Sequence, residues 1–252
     1  ADGDDLTGID DEDGISDETL NNTTLKTTSL DVTASNSSNR TAYILAWIDH
    51  KQSGVFDYTD ELVITNNAVP AGSQDVVRTL SLPNDLKAGQ YYALRVRIGS
   101  GTTHQDNSLA ALDGEVEDYR IYIKGYSISG TLLHDVDGLK NGLSTVGIGR
   151  PDDTAMYAYL LDADGKVVAR TTIDATTGAY TFADVNWGNY QVKVTNNDVI
   201  TIGDTPNEED FTLPQGWNHS IQKDADGTLH TRGTATVSVR EEDALEVVKV
   251  VA

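Results

Sequence analysis

The sequence contains no cysteine, which excludes disulfides, thiolate metal sites and a cysteine nucleophile together. A secreted eukaryotic domain of this size usually carries disulfides, so their absence points to a cytosolic protein or to a secreted bacterial one stabilised another way. Basic residues are scarce: 18 Lys and Arg stand against 40 Asp and Glu, a formal charge of -22 over 252 residues. Phosphate backbones and anionic membranes are repelled at that balance, so no nucleic-acid partner is expected, and metal cations are the natural counter-charge. No run approaches about 18 apolar residues, and no direct membrane insertion is expected. The start, Ala1-Asp2-Gly3-Asp4, lacks the basic and apolar regions of a signal peptide, so the chain reads as a mature segment or an excised fragment. Also missing are a P-loop, a Gly-x-Ser-x-Gly elbow, a His-Glu-x-x-His pair and a dinucleotide fingerprint. The five His show no metal-ligand spacing. With no convergent nucleophile and base, the sequence gives no reason to expect an enzyme.

Turn residues are plentiful, with 22 Gly and many Asx-Gly pairs. Between them lie short alternating segments and no sustained helical stripe. Tyr43 to Ile48 ends at Asp49, and Tyr91 to Ile98 ends at Gly99 with Leu94, Val96 and Ile98 on one face and Arg95 and Arg97 on the other. Tyr119, Ile121 and Ile123 alternate inward. Ala158 to Leu161 turns through Asp162-Ala163-Asp164-Gly165 into Lys166 to Ala169, a hairpin signal. Strands at Gly178 to Phe182 and Tyr190 to Val194 follow at similar spacing. Many short strands with turns between them predict an all-β fold of β-sandwiches. One strand ends at Lys124 and another starts near Gly125, which divides the chain into domains 1–124 and 125–252. The two halves carry similar charge, 21 acids and 9 bases (net -12) against 19 and 9 (net -10).

The acids are clustered. Nine fall within the first 18 residues with no base, a composition that by itself reads as a solvated leader. Asp11 and Asp13, flanking Glu12 and followed by Gly14, space carboxylates two apart on a kinked loop. Calcium takes about six to eight oxygens at roughly 2.3–2.6 Å, which such loops supply. A second cluster, Asp49 to Asp57 followed by Asp60 and Glu61, echoes the start of an EF-hand loop, with oxygens at its first and fifth positions and glycine at its sixth. Lys51 occupies the third position, where an oxygen belongs. Two readings stay open: an ordinary strand-loop-strand turn, or Asp49, Asp57 and Glu61 as ligands in another geometry. In a third cluster, Asp113 to Asp118, Glu115 and Glu117 share one strand face, and Val116 and Asp118 the other. Three acids within four residues repel unless a cation or an arginine neutralises them. Glu115 and Asp118 are candidate calcium ligands, with Arg95 and Arg97 as the competing explanation.

Four motifs in order, Asp10-Asp11-Glu12-Asp13-Gly14-Ile15, Ala42 to Asp49, Leu94 to Ile98 and Gly114-Glu115-Val116-Glu117-Asp118-Tyr119, resemble the GEVED domain. That resemblance implies a β-sandwich, jelly-roll-like or Ig-like, of large secreted and surface proteins of bacteria. The family's usual Phe-Asn-x-Asp-Gly run is replaced here by His50-Lys51-Gln52-Ser53-Gly54. The second half resembles the serine-aspartate-repeat B-type and collagen-adhesin B-type domains, which are prealbumin-like and Ig-like. The matching segments are Ser129 to Leu139, Tyr157 to Lys166, Gly178 to Val185, Gly188 to Val192 and Leu213-Pro214-Gln215-Gly216-Trp217. Some such relatives bind calcium in the first loop, which would place Asp135, Asp137 and Asn141 as ligands, an Asx turn being the alternative. Others crosslink a first-strand Lys to a last-strand Asn. Ile128 to Leu133 has no Lys and Val247 to Ala252 no Asn, so no isopeptide bond is expected.

The expected function is a non-catalytic, calcium-stabilised structural or adhesive segment of a secreted bacterial cell-surface protein. Its partners would be neighbouring domains of the same chain and a surface protein or glycan. The alternative is a glycan-binding accessory module of a secreted hydrolase. Trp47 and Trp217 are expected in the core, and Trp187, beside Gly188 and Asn189 in a turn, is the candidate stacking aromatic.

Overall fold

The computed structural model describes residues 14–99, 114–134, 146–147, 154–215, 217, 222–223, 229–230, 234–241, 243 and 246–251. The fold is all-β. The chain divides into two compact units, Ala1–Lys124 and Gly125–Ala252.

The first unit begins with one helical turn, α1 (Asp17–Asn21), which the sequence pattern did not announce. It is too short to show an apolar stripe and buries only Leu20. Its start is set by chemistry. The Ser16 hydroxyl accepts from the Thr19 amide at 3.3 Å, and Asp17 and Glu18 lie in the first turn, where the helix dipole favours anions. Among the described residues, six strands follow: β1 (Ser29–Asn36), β2 (Ala42–Ile48), β3 (Leu62–Val69), β4 (Ser73–Ser81), β5 (Tyr91–Gly99) and β6 (Glu115–Tyr122). They form an antiparallel sheet of order β3-β2-β5-β6 and an antiparallel ribbon β1-β4. Alternation decides what meets in the middle. Ala42, Ile44, Ala46 and Ile48 from β2 join Leu94 and Val96 from β5 and Leu30, Val32 and Leu80 from the ribbon in one core. The opposite face of β2 is also covered, since Leu45 and Trp47 are buried too. That double burial accounts for the near-continuous apolar run from Tyr43 to Ile48. Arg78 on β4 sends its Nε–H to the Ala68 carbonyl of edge strand β3 at 3.2 Å, engaging an acceptor that an open edge would offer to another chain.

The second unit contains β7 (Tyr126–Thr131), β8 (Leu133–His134), β9 (Val146–Gly147), β10 (Tyr157–Leu161), β11 (Val167–Thr172), β12 (Ala179–Val185), β13 (Gly188–Thr195), β14 (Gln222–Lys223), β15 (Leu229–His230), β16 (Thr234–Val239) and β17 (Glu246–Val251). Its two main sheets have the orders β11-β10-β13-β16 and β12-β7-β17-β14-β15. Among the described residues, the pairings in this unit are antiparallel except β17 with β7, which run parallel. Gly130 on β7 stands opposite Tyr180 on β12. A Cβ on Gly130 would lie 2.2 Å from the Tyr180 ring, so glycine is what lets that ring lie down across the strand.

The first of these sheets also buries both faces. Tyr159, Leu161 and Val167 pack with Ile200 and Phe211, so residues 196–213 cover the sheet as a second small core. Hydrogen bonds hold this cover in place. The Tyr159 hydroxyl donates to the Asn197 carbonyl at 3.0 Å, Asn197 Nδ2 to the Asp210 carbonyl at 2.9 Å, and Gly203 N to the Val167 carbonyl at 2.8 Å. Lys193 sits beneath it, its side chain 6% exposed, paired with Glu208, which is 70% exposed, and with its ammonium 4.8 Å from the Phe211 ring centroid. Removing either partner should have unequal effects. Glu208→Ala leaves a buried ammonium without its carboxylate and should cost about 1–2 kcal/mol in urea unfolding, less than a fully buried pair because water reaches Glu208. Lys193→Met keeps the stem against Phe211 and should cost less than Glu208→Ala.

Candidate metal centre

The acidic positions singled out in the sequence fall into separate places. Asp11, Asp13, Asp135, Asp137 and Asn141 lie outside the described residues. Asp49, Asp57 and Glu61 share the loop between β2 and β3, and Glu115 and Asp118 sit on β6.

In the β2–β3 loop the carboxylates turn toward the loop's own backbone. Asp49, 7% exposed, accepts the Ser53 amide on Oδ1 and the Gly54 amide on Oδ2, both at 2.8 Å. Glu61, 1% exposed, accepts Lys51 N on Oε1 at 3.3 Å and Asp57 N on Oε2 at 2.6 Å. Asp57 Oδ1 accepts the amides of Thr59 and Asp60 at 2.8 and 3.0 Å. Those amides, with the Lys51 charge adding to them, hold the Asp57 carboxyl below the ordinary range. Lys51 Nζ donates to Asp60 Oδ2 at 2.8 Å. That bond, and then the fields of Asp60, Asp57 and Glu61, raises the Lys51 pKa against some desolvation. His50 Nδ1 lies 2.8 Å from Asp85 Oδ2 and ties the loop's first turn to residue 85. As a calcium cage the donor set does not fit: Asp49 and Glu61 aim their oxygens at N–H groups of the loop and not at a common point, and Lys51 stands at the third position. Among the described residues no three His, Asp or Glu side chains form a group that could hold a metal ion.

The β6 cluster resolves by strand face. Asp118 is on the outer face opposite Arg95 and takes a bidentate bond from it, Nε to Oδ1 and Nη2 to Oδ2, both 2.6 Å. The guanidinium also lies 5.2 Å from the Phe56 ring centroid. Trp47, fully buried, is Arg95's neighbour on β2, so Asp118, Arg95 and Trp47 form a row across the outer face with Phe56 over Arg95. Arginine is thus the outer-face answer to the acid cluster. Glu115 and Glu117 face inward, opposite Ile98 and Val96, and line a cleft of about 470 Å³ whose walls include Val32, Ala34 and Ile44. Glu117 is 8% exposed and accepts the Tyr119 hydroxyl proton. That hydroxyl in turn accepts Ile15 N at 3.1 Å. Gly14 completes the contact, its carbonyl accepting Thr33 N at 2.7 Å, and a Cβ on Gly14 would meet Glu117 Oε2 at 2.7 Å. Gly114 opens β6 at φ +96°, where a Cβ would lie 1.9 Å from the Ile98 carbonyl oxygen, so only glycine enters the strand this way.

In the second unit, Asp162 closes the β10–β11 hairpin by accepting Asp164 N and Lys166 N at 3.0 and 2.9 Å. Residues 224–227 lie outside the described residues. Trp187, in the β12–β13 turn, is 43% exposed.

Comparison with known proteins gives one family match. The GEVED domain matches residues 43–122, from Tyr43 in β2 to Tyr122 in β6. No curated protein sequence matches the chain. Similar solved structures include the major pilin subunit of Bacillus cereus, with 12% identity and a TM-score of 0.29, covering 90% of this chain and 60% of that one. An adhesin from Mobiluncus mulieris has 11% identity and a TM-score of 0.39, covering 90% of each chain. The group B streptococcus pilus 2b backbone protein has 11% identity and a TM-score of 0.36, covering 94% of this chain and 95% of that one. The chain spans 60% of the length of the B. cereus pilin, and scores this low carry no further likeness. Among the described residues no helix is long and apolar enough to cross a membrane.

Carboxylates that close turns impose a pH dependence. Asp174 is held below the ordinary carboxyl range first by the Thr177 amide, then by the Thr177 hydroxyl and Thr176 amide. Asp204 is lowered by the Thr201 amide and hydroxyl. A depressed folded pKa stabilises above the unfolded value of about 3.9 and is lost as pH falls through the folded pKa. Asp174→Asn should therefore melt below the wild type at neutral pH, and the gap should close as pH drops below about 4 in circular-dichroism melts.

Proposed function

We propose that the chain is a non-catalytic, calcium-stabilised structural or adhesive segment of a secreted bacterial cell-surface protein, a GEVED module followed by a B-type, prealbumin-like module. The observation that supports it best is what the ionisable side chains do. Asp49, Asp57, Glu61, Asp162, Asp174 and Asp204 all accept amides of their own turns, and Asp118 and Glu208 hold Arg95 and Lys193. Catalysis needs such groups aimed at a substrate; here they brace loops between strands, as a stiff spacer requires. The GEVED match and the excess of negative charge agree with an extracellular setting.

Calcium belongs to the same proposal and is assigned to Asp11 and Asp13 and to Asp135, Asp137 and Asn141. Binding to the folded state alone adds about 2.7 kcal/mol at a roughly hundredfold excess over Kd. Thermal melts in millimolar calcium and in chelator should differ by several degrees, and equal midpoints would remove calcium from the reading.

Trp187 supports a second reading, a glycan-binding accessory module of a secreted hydrolase, because a half-exposed indole in a turn offers a stacking face. A glycan array should then register binding that Trp187→Ala abolishes; an array silent for the wild-type chain eliminates this reading.

A further inference from the structure

The β2–β3 loop has the beginning of a calcium-loop pattern, and its carboxylates are engaged by the loop's own backbone. Six amides, of Lys51, Ser53, Gly54, Asp57, Thr59 and Asp60, point at the carboxylates of Asp49, Asp57 and Glu61. Backbone bonds complete the loop: Gln52 N donates to the Asp49 carbonyl at 3.3 Å, Glu61 N to the Asp57 carbonyl at 3.2 Å, and Ile48 N to the Glu61 carbonyl at 3.0 Å. Val55 N donates to the Ser53 hydroxyl oxygen at 3.3 Å. A hard divalent ion needs several oxygens converging on one point, and among the described residues no three His, Asp or Glu side chains form such a group. Glu61, almost wholly buried, instead directs each oxygen at a backbone N–H, and so does Asp49. The loop nevertheless holds four carboxylates, at 49, 57, 60 and 61, with Asp85 across the His50 contact, and a positive charge among them adds to what the amides do. Lys51 supplies one.

We infer that the 49–61 loop is metal-independent, with the Lys51 ammonium occupying the role that a bound cation would have and with Asp49 and Glu61 acting as backbone staples. The raised pKa of Lys51 agrees with the geometry. The loop's output is the placement of Phe56 over Arg95, above the outer-face row that contains Trp47. This inference limits where the calcium of the preceding reading can sit and does not depend on that reading.

Hydrogen exchange read by mass spectrometry on the full chain separates the two. In wild-type protein, peptides spanning 49–61 should exchange at the same rate in millimolar calcium and in chelator, whatever the global melt does. Slower loop exchange in calcium would overturn the inference. Lys51→Asp restores an oxygen at the third position and removes the internal cation. In this variant the loop should exchange faster than wild type in chelator, and calcium should slow it about tenfold at a roughly tenfold excess over Kd. A Lys51→Asp loop indifferent to calcium would show that the lysine does not stand in for a cation. Lys51→Met, which removes the charge and adds no ligand, should loosen the loop with no recovery in calcium; recovery would assign the ligands to the existing carboxylates and overturn the inference.

Discussion

The carboxylate-to-amide hydrogen bond is the interaction on which this protein most depends. A chain with a net charge of -22 must neutralise acids, and a β-sandwich with long connections must find acceptors for loop amides. One bond meets both needs. An Asp or Glu within a few residues of the N–H groups it accepts converts local repulsion into local order and keeps its charge stabilised by dipoles. The arrangement recurs at the β2–β3 loop, at the β10–β11 hairpin, and at the turns held by Asp174 and Asp204.

Motifs that are far apart in the first half meet in one construction. Gly14 and Ile15 bond to Thr33 and Tyr119, Tyr119 bonds to Glu117, and Asp118 bonds to Arg95 beside Trp47. Each segment is short and common alone; what makes them a module is that every one holds another in register. The alternation along β6 is the pivot, sending two acids into the cleft and the third outward onto arginine.

Much of this was legible in the sequence, because strand faces follow from alternation and turns from Asx-Gly pairs. The Tyr43–Ile48 and Tyr91–Ile98 strands, the hairpin through Asp162–Gly165 and the buried state of Trp47 all appear as the pattern indicates. Three things were not legible. The helical turn at Asp17–Asn21 is specified by a cap and two acids, signals lost inside a run of acids. The cover over the second unit's sheet has no strand period, since Ile200 and Phe211 are eleven residues apart in an irregular segment, and its key contact is a buried lysine that composition would place on the surface. In the β2–β3 loop, spacing shows which oxygens lie near one another but not which way they point; whether an Asp faces a cation or an amide is settled by backbone direction.

The parallel pairing of β7 with β17 carries a mechanical consequence. The second unit's first strand and its last described strand lie side by side, Ser127 level with Glu246 and Thr131 with Val251. Tension on the two ends of that unit would therefore run along the strand axis and load the whole ladder in shear, with the bonds sharing the force together. An antiparallel closure at the same place would open like a zipper, one rung after another. A segment built this way resists stretching by geometry, before any crosslink is considered.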